Sequence, residues 1–375
     1  FLGEAHSLRP ACKAFRTAEA LHYSEGFGGC PPGSREYVSL ALRPSLPACG
    51  APLCVPSIIF ERLLSSPKYG IRNGYCFEER DTGGFSMKNS VISLIKRRHS
   101  CRRYTQEPLK TQERIALDEF LGAQKRGPLG SEIRIHLLAQ TEADPSCLKG
   151  LGTYGFIKGA TAFMVGAVKS SPYDLEDYGY VMEHAVLVAT DLGLGTCWLG
   201  GTFKKSKFAR SIHLAPDEAM PAVVAVGYEA QGNLRGHTQS HGTKGRNRLP
   251  MEKLFFWESF GRPLVGCPSP YEQILEAVRW APSASNKQPW RIVVTKEGFH
   301  LYLQRTKGYG KDSLIFKLLG LADLQRVDMG IAMCHLELSA MELGLKGRWV
   351  REESQVVSIP SERAEYVISW KLDLP

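Results

Sequence analysis

Residues 177–198, DYGYVMEHAVLVATDLGLGTCW, recur without a gap at 328–349 as DMGIAMCHLELSAMELGLKGRW, displaced by 151 positions with ten of 22 residues identical. A displacement that long marks a duplicated domain half, because solenoid and propeller units run to about 20–50 residues. Two related halves in one chain suggest a covalently fused dimer. By symmetry such an assembly starts with two equivalent sites.

The 375 residues, 43% hydrophobic and 23% charged, have a globular composition. No run approaches the roughly 18 uncharged apolar residues of a membrane span, and the N-terminus lacks a secretory pattern. The expectation is a cytoplasmic protein with no membrane partner. The chain begins at Phe1, and all eight methionines lie at or after Met87. Residues 1–86 show no sustained helical or strand period and hold five of the ten cysteines among Pro, Gly, Ser and Arg. They read as an extension outside the fold, favoured as sequence upstream of a start at Met87, with a disordered or disulfide-tied extension as the rival. Neither Cys12, Cys30, Cys49, Cys54 and Cys76 nor the scattered Cys101, Cys147, Cys197, Cys267 and Cys334 have zinc-site spacing, and none is assigned chemistry. The first 86 residues carry nine Lys/Arg against eight Asp/Glu, leaving 38 against 30 for the remainder, so the positive excess belongs to the folded part. Such a field favours anionic ligands without choosing among them.

Within the first half, Asn89 or Ser90 can cap a helix through Val91, Ile92, Leu94 and Ile95 that ends near Arg98. Thr111 caps a second helix to Gln124, with Ile115, Ala116, Leu117, Phe120 and Leu121 inward, followed by a strand at 133–138. The second half repeats the order: Ser269-Pro270-Tyr271-Glu272 has capping-box spacing, Ile274, Leu275 and Val278 follow at helical spacing, and a strand runs over 291–294. The duplicated stretch reads as a core helix closed by Gly193, and strands at 222–228 and 366–372 complete the halves. The fold class is α+β. Expected boundaries are 1–86 for the extension, 87–250 for the first half, 251–268 for a connecting arm anchored by Phe255-Phe256-Trp257, and 269–375 for the second half.

Two motifs could carry chemistry. Arg98-His99-Ser100-Cys101-Arg102, just past a helix, supplies guanidinium forks and a hydroxyl suited to phosphate and carbonyl oxygens, unless it is only a solvated basic helix end. Arg246 and Arg248, with Lys244, would complete a phosphate site if folded near it. Pro282-Ser283-Ala284-Ser285-Asn286, followed by Gln288-Pro289-Trp290, is a polar turn able to offer hydrogen bonds to a planar heterocycle, and by itself only a turn. At an offset of 159, set by Ile115 against Ile274, neither motif has a copy in the other half.

Together, RRHSCRRY, LGTCWLGG, RNRLP and APSASNKQPW resemble the nitroreductase family of FMN-dependent oxidoreductases over residues 87–375. Members are generally homodimers with flavin at the interface, one subunit giving the basic string and the other the APSxxNxQPW turn. This chain splits those motifs between its halves, which resembles the single-chain, internally duplicated branch. The resemblance implies a nitroreductase-like α+β fold, an intrachain pseudo-dimer, and one flavin site in a monomer that mimics a homodimer. It also implies NAD(P)H as reductant, a small electron-poor acceptor as partner, and a ping-pong cycle through flavin N5. Carried over by position, Arg98, Ser100 and Arg102 contact the ribityl-phosphate and pyrimidine edge, with His99 supporting through its backbone. Arg246 and Arg248 grip the phosphate. Leu199, Gly200 and Gly201 offer a backbone N–H to N5, and Pro282, Ser283 and Asn286 approach from the other half. Arg102 is the candidate for tuning the flavin's electronics near N1, and no side-chain nucleophile is required. Ala284 replaces the family's usual second serine.

Other features recede. Gly150-Leu151-Gly152-Thr153-Tyr154-Gly155 matches GxGxxG but precedes a strand at 162–168, where a dinucleotide fingerprint needs a helix. His237 and His241 lack a further ligand, so no metal is expected. His184 and His335, at equivalent repeat positions, read as packed structural histidines, and Glu183, whose counterpart is Cys334, as a leftover acid without a role. The alternative function is a non-catalytic flavin- or nucleotide-binding protein. Nucleic-acid binding lacks any recognised motif.

Overall fold

The computed structural model describes residues 87–201, 203–230, 247–264, 270–309, 321–351 and 363–373, with the backbone of 69–72 and 75–78. All of these fall in one compact unit, Ser66–Pro375. Inside the stretch expected to form an extension, β1 (Tyr69–Arg72) and β2 (Tyr75–Glu78) pair antiparallel, which the lack of a sustained period did not foreshadow. The rest of 1–86, the His237/His241 loop, Cys267 and Arg246 lie outside the described residues.

Next come α1 (Val91–Arg97), α2 (Thr111–Ala123), β3 (Ile133–Ala139), β4 (Ala162–Lys169), α3 (Asp174–Asp191), β5 (Gly195–Leu199), α4 (Lys205–Ser211), β6 (Glu218–Ala219) and β7 (Val223–Gly227). They are followed by α5 (Met251–Leu254), β8 (Phe255–Trp257), α6 (Tyr271–Arg279), β9 (Trp290–Thr295), β10 (Gly298–Gln304), α7 (Leu324–Glu342), β11 (Gly347–Val350) and β12 (Ala364–Leu372). One antiparallel sheet runs β3-β4-β7-β5 with β6 added to β4, and the other runs β11-β12-β10-β9-β8. The aromatic run read as part of a connecting arm is thus an edge strand, parallel to β9 with Phe255 opposite Ile292.

Period-two alternation divides the first sheet's faces. Ala162, Met164, Val168, Val224 and Val226 join the main core beneath the helices, while Phe163, Val165, Ala167, Val223 and Ala225 form a second core with Phe203, Phe208 and Ile212. In α2 the inward face is Leu117, Phe120 and Leu121, and Ile115 is 44% exposed because it stands off that i, i+3, i+4 stripe. The cap of α2 is Lys110 rather than Thr111, and α6 starts after Pro270 without a side-chain cap bond, one position later than the capping-box reading places it.

At the centre lie α3 and α7, which contain the duplicated stretch. They cross backbone to backbone at two glycines 151 positions apart: a Cβ on Gly179 would stand 2.1 Å from the Val327 carbonyl oxygen, and one on Gly330 only 1.9 Å from that of Glu176. The duplicated aspartates two residues earlier each hold a loop of their own half. Asp177 accepts from the N–H groups of Leu129 and Ser131, both at 2.8 Å, and Asp328 from Ala284 N–H at 2.8 Å. No helix among the described residues is long and apolar enough to cross a membrane.

Candidate functional site

A cavity of about 730 Å³ opens between the halves, within the range of roughly 300–1,000 Å³ typical of ligand pockets. Its first wall is the basic string. Ser90 caps α1 by accepting from Ser93 N–H at 3.3 Å, and Glu342 of α7 receives the N–H of Val91. Beyond Arg98 the chain is extended, with Cys101 N–H donating to Thr196 O at 2.8 Å and Ser100 bridging Thr196 in parallel, beside β5. Alternation then puts Arg98, Ser100 and Arg102 on one side of the backbone, lining the cavity, while Cys101 turns into the second core. This is why the residues recur at every second position rather than at helical spacing. His99 also lines the pocket, its Nε2 3.0 Å from a Glu229 carboxylate oxygen.

The second wall is the turn after α6. Ser285, Asn286 and Gln288 all have φ near +50°, a left-handed conformation that non-glycine residues resist. The turn is held by clamps: Gln288 N–H donates to Ser283 Oγ at 2.9 Å, Asn286 Nδ2 to Asn247 O at 2.7 Å, and Leu249 N–H to Gln288 Oε1 at 2.8 Å. Arg248 donates to Asn286 Oδ1 at 2.6 Å and to Trp280 O at 3.0 Å. Pro282, Ser283 and Asn286 therefore reach the cavity as expected, but the polar atoms of Ser283 and Asn286 brace the turn. Gly200 and Gly201 line the floor; a Cβ on Gly200 would come within 2.5 Å of a Leu324 methyl, while one on Gly201 would meet Leu321 at an ordinary 3.5 Å. Leu199 does not line the cavity, because its position in β5 sends its side chain into the second core, where it is 1% exposed.

The electrostatics are one-sided. Arg98 is 8% exposed, and its Nε is buried without a hydrogen-bond partner, 3.8 Å from Glu183 Oε1. Burial draws its guanidinium below the ordinary arginine range, with Glu183 offsetting only part of that. Arg248 is lowered to about 10 by burial, and the charges of Arg98 and Arg279 add to the effect. Two guanidiniums from opposite walls thus face one space with too little negative charge between them. Asp328, on the pocket side of α7, leaves Oδ2 buried without a partner, and burial raises its carboxyl well above the usual range.

Glu183 is not a leftover. It is fully buried and accepts Trp198 Nε1–H at 2.7 Å, and its other oxygen lies 3.0 Å from His335 Nε2. His335 Nδ1 faces the Ala277 carbonyl at 2.8 Å, an acceptor that requires the hydrogen on that nitrogen. A buried polar chain thereby runs from the Arg98 wall to the helix that leads into the opposite turn. Sequence reading missed it, as it missed Asp328, Trp280, Tyr309 and Phe156 in the lining. The one signal available for Asp328 was its identity with Asp177 at the first position of the repeat.

Cys197 lines the cavity, and burial raises its thiol, as it raises Cys101 to about 11. At pH 8, peptide mapping after iodoacetamide treatment should show half-buried Cys147 alkylated faster than Cys101, Cys197 and Cys334. Preferential labelling of Cys197 would revive a thiol role. No metal-binding group of three His, Cys, Asp or Glu occurs among the described residues.

Similar solved structures include one described as a "putative nitroreductase" from Thermotoga maritima, 19% identical, covering 78% of this chain and 98% of its own, with a TM-score of 0.47. An FMN complex from Desulfovibrio desulfuricans is 24% identical over 38% of this chain and 88% of its own, TM-score 0.31. One from Bacteroides fragilis with bound FMN is 22% identical over 39% and 91%, TM-score 0.31. No curated protein matches. The family model described as "Putative TM nitroreductase" matches residues 90–340, and with that span the chain belongs to the nitroreductase-like α+β family so described.

Proposed function

We propose that the chain is an FMN-dependent oxidoreductase that takes electrons from NAD(P)H and passes them to a small electron-poor acceptor by a ping-pong cycle. The observation that carries this reading is Arg98, a buried guanidinium without a hydrogen-bonded anion, facing Arg248 across a cavity. Burying two guanidiniums against one carboxylate, Glu183 at 3.8 Å from Arg98, is costly. A ligand bringing a phosphate and carbonyl oxygens removes that cost, and FMN fits the donor set. In this reading Arg98, Ser100 and Arg102 bind from one wall, Arg248 draws the anionic end, and the glycines at 200 and 201 admit a flat ring. Two-electron transfer through N5 is the chemistry the bound flavin supplies.

The same reading treats the chain as an intrachain pseudo-dimer with one flavin, a cytoplasmic monomer whose partners are small molecules. The repeat offset supports a single site. Leu324, Val327 and Gly200 at the cavity correspond to Tyr173, Glu176 and Arg351, which line a second cavity of only about 170 Å³. There Arg351 takes the place of glycine and lies 5.8 Å over the Tyr173 ring, while Arg326 pairs with Glu176. That space is below the roughly 300 Å³ floor of ordinary ligand pockets.

The full chain should purify yellow or take up FMN to one equivalent, and NADPH added without oxygen should bleach it. Bound flavin that stays oxidised would leave a non-catalytic binder. Two equivalents would refute the single-site reading, and a chain that takes up no FMN would refute the function.

A further inference from the structure

We infer that Phe156 is the specificity-determining residue for the pocket's second ligand, stacking on a planar ring carried by an anionic molecule; the inference rests on the flavin reading above. Phe156 lines the cavity yet is 42% exposed, and Tyr154, on the same short loop, is 72% exposed. A half-exposed aromatic ring lining the cavity leaves apolar area worth about 25 cal/mol per Å² uncovered.

The loop is built to hold the ring there. Thr153 Oγ1 accepts Ile157 N–H and donates to Ile157 O, both at 3.3 Å, and Phe156 N–H donates to Thr153 O at 2.9 Å. Its base is fastened to the cofactor wall, with Lys158 N–H donating to Arg102 O at 3.0 Å and Tyr104 N–H to Lys158 O at 2.9 Å. Gly159 permits this approach, since a Cβ there would stand 2.5 Å from Tyr104 O. The strand that presents Arg98 and Ser100 therefore also presents Phe156. Arg102 lies 5.1 Å from the ring centroid, an attraction of about 0.5–1 kcal/mol at an exposed site.

Charge specifies the rest of the ligand. Arg102, Arg103, Lys158 and Lys204 are exposed around this loop, and Lys204 N–H donates to Gly152 O at 2.8 Å, fixing its backbone to the loop. Glu229, nearby on the same strand pairing, is engaged by His99. Of these four, Arg102 lines the cavity itself, and the excess around the loop draws anions by long-range attraction. In a ping-pong cycle both reductant and acceptor enter the same space, so a dinucleotide and an aromatic carboxylate are two sources of one chemistry.

The test uses the FMN-loaded full chain with NADPH as donor and p-nitrobenzoate or neutral p-nitrobenzyl alcohol as acceptor. Phe156→Ala should raise KM for the stacked ligand about tenfold, the loss of one aromatic contact. FMN affinity should stay within about twofold, and Phe156→Trp should restore the low KM. Added salt should raise KM for p-nitrobenzoate more than for the alcohol. A rise confined to NADPH identifies the dinucleotide as the ligand, and one confined to nitrobenzoate the acceptor. Unchanged KM for both in Phe156→Ala overturns the inference, and so, where the rise is in nitrobenzoate, does an equal salt response of the two acceptors. If the wild-type chain takes up no FMN, the flavin reading falls separately. Calorimetry of p-nitrobenzoate on the flavin-free chain then decides, weaker binding by Phe156→Ala supporting the inference and equal or absent binding overturning it.

Discussion

Alanine at Gly330 is expected to lower folding stability by about 3 kcal/mol or more, a large part of the margin of an ordinary domain. The added methyl carbon would stand 1.9 Å from Glu176 O, 2.7 Å from its carbonyl carbon and 2.8 Å from Tyr180 N. All three are backbone atoms of the facing helix, so no rotamer relieves the clash and the helices must separate. Separation opens the main core, where Met329, Ile331, Met182 and Val186 are almost completely buried. The sign is what makes the test sharp, because glycine to alanine inside a helix otherwise stabilises by about 1 kcal/mol. Gly122 provides the comparison: it lies in α2, is exposed, and has nothing within 4 Å of where its Cβ would be. Urea unfolding should show Gly122→Ala neutral or stabilised and Gly330→Ala severely destabilised. Similar values for the two variants would show that the helix crossing yields easily.

Arg98→Ala is expected to weaken FMN binding about a hundredfold, the loss of charge-assisted hydrogen bonds worth about 1.5–3 kcal/mol. Without flavin the Tm should fall as well, because fully buried Glu183 loses the cation 3.8 Å from it and keeps only Trp198 and His335 as partners. The Tm gain on adding FMN should then shrink, because ligand stabilisation follows affinity. Arg126→Ala should leave FMN binding unchanged, since that residue is 68% exposed and pairs with Glu132 at 3.7 Å. Fluorescence titration giving equal losses for the two variants would remove Arg98 from the site.

Much of the site was legible because its parts are local. A polar turn with a proline announces itself over five residues, and a basic string is visible wherever it falls. Helix α1, ending at Arg97 with Arg98 as its cap, follows from capping and periodicity alone. What escaped notice was contact between distant segments. Phe156, just past a false dinucleotide motif, had nothing to mark it, and Glu183 looked like a residue left over from divergence. Each acquires its surroundings from a segment that sequence spacing does not reveal: Arg102 for the first, His335 of the other half for the second. Arg248, by contrast, was expected at the pocket and is there, but its bonds to Asn286 and Trp280 show it bracing the opposite wall as well.

The linear order of residues was enough to establish two related halves, an α+β composition and the separation of the two motifs, because repeats, periodicity and turn chemistry act over a few residues. It also carried the Asp-x-Gly identity of Asp177-Tyr178-Gly179 and Asp328-Met329-Gly330, without the reason for it. Only the packed chain supplied that reason: the glycines let two backbones touch, and the aspartates tie each helix to its own loop. The halves' divergence was likewise decided in three dimensions. Gly200 opens one cavity and Arg351 fills the related one, a difference of side-chain volume and charge at matched positions whose effect depends on the neighbours that folding places beside them.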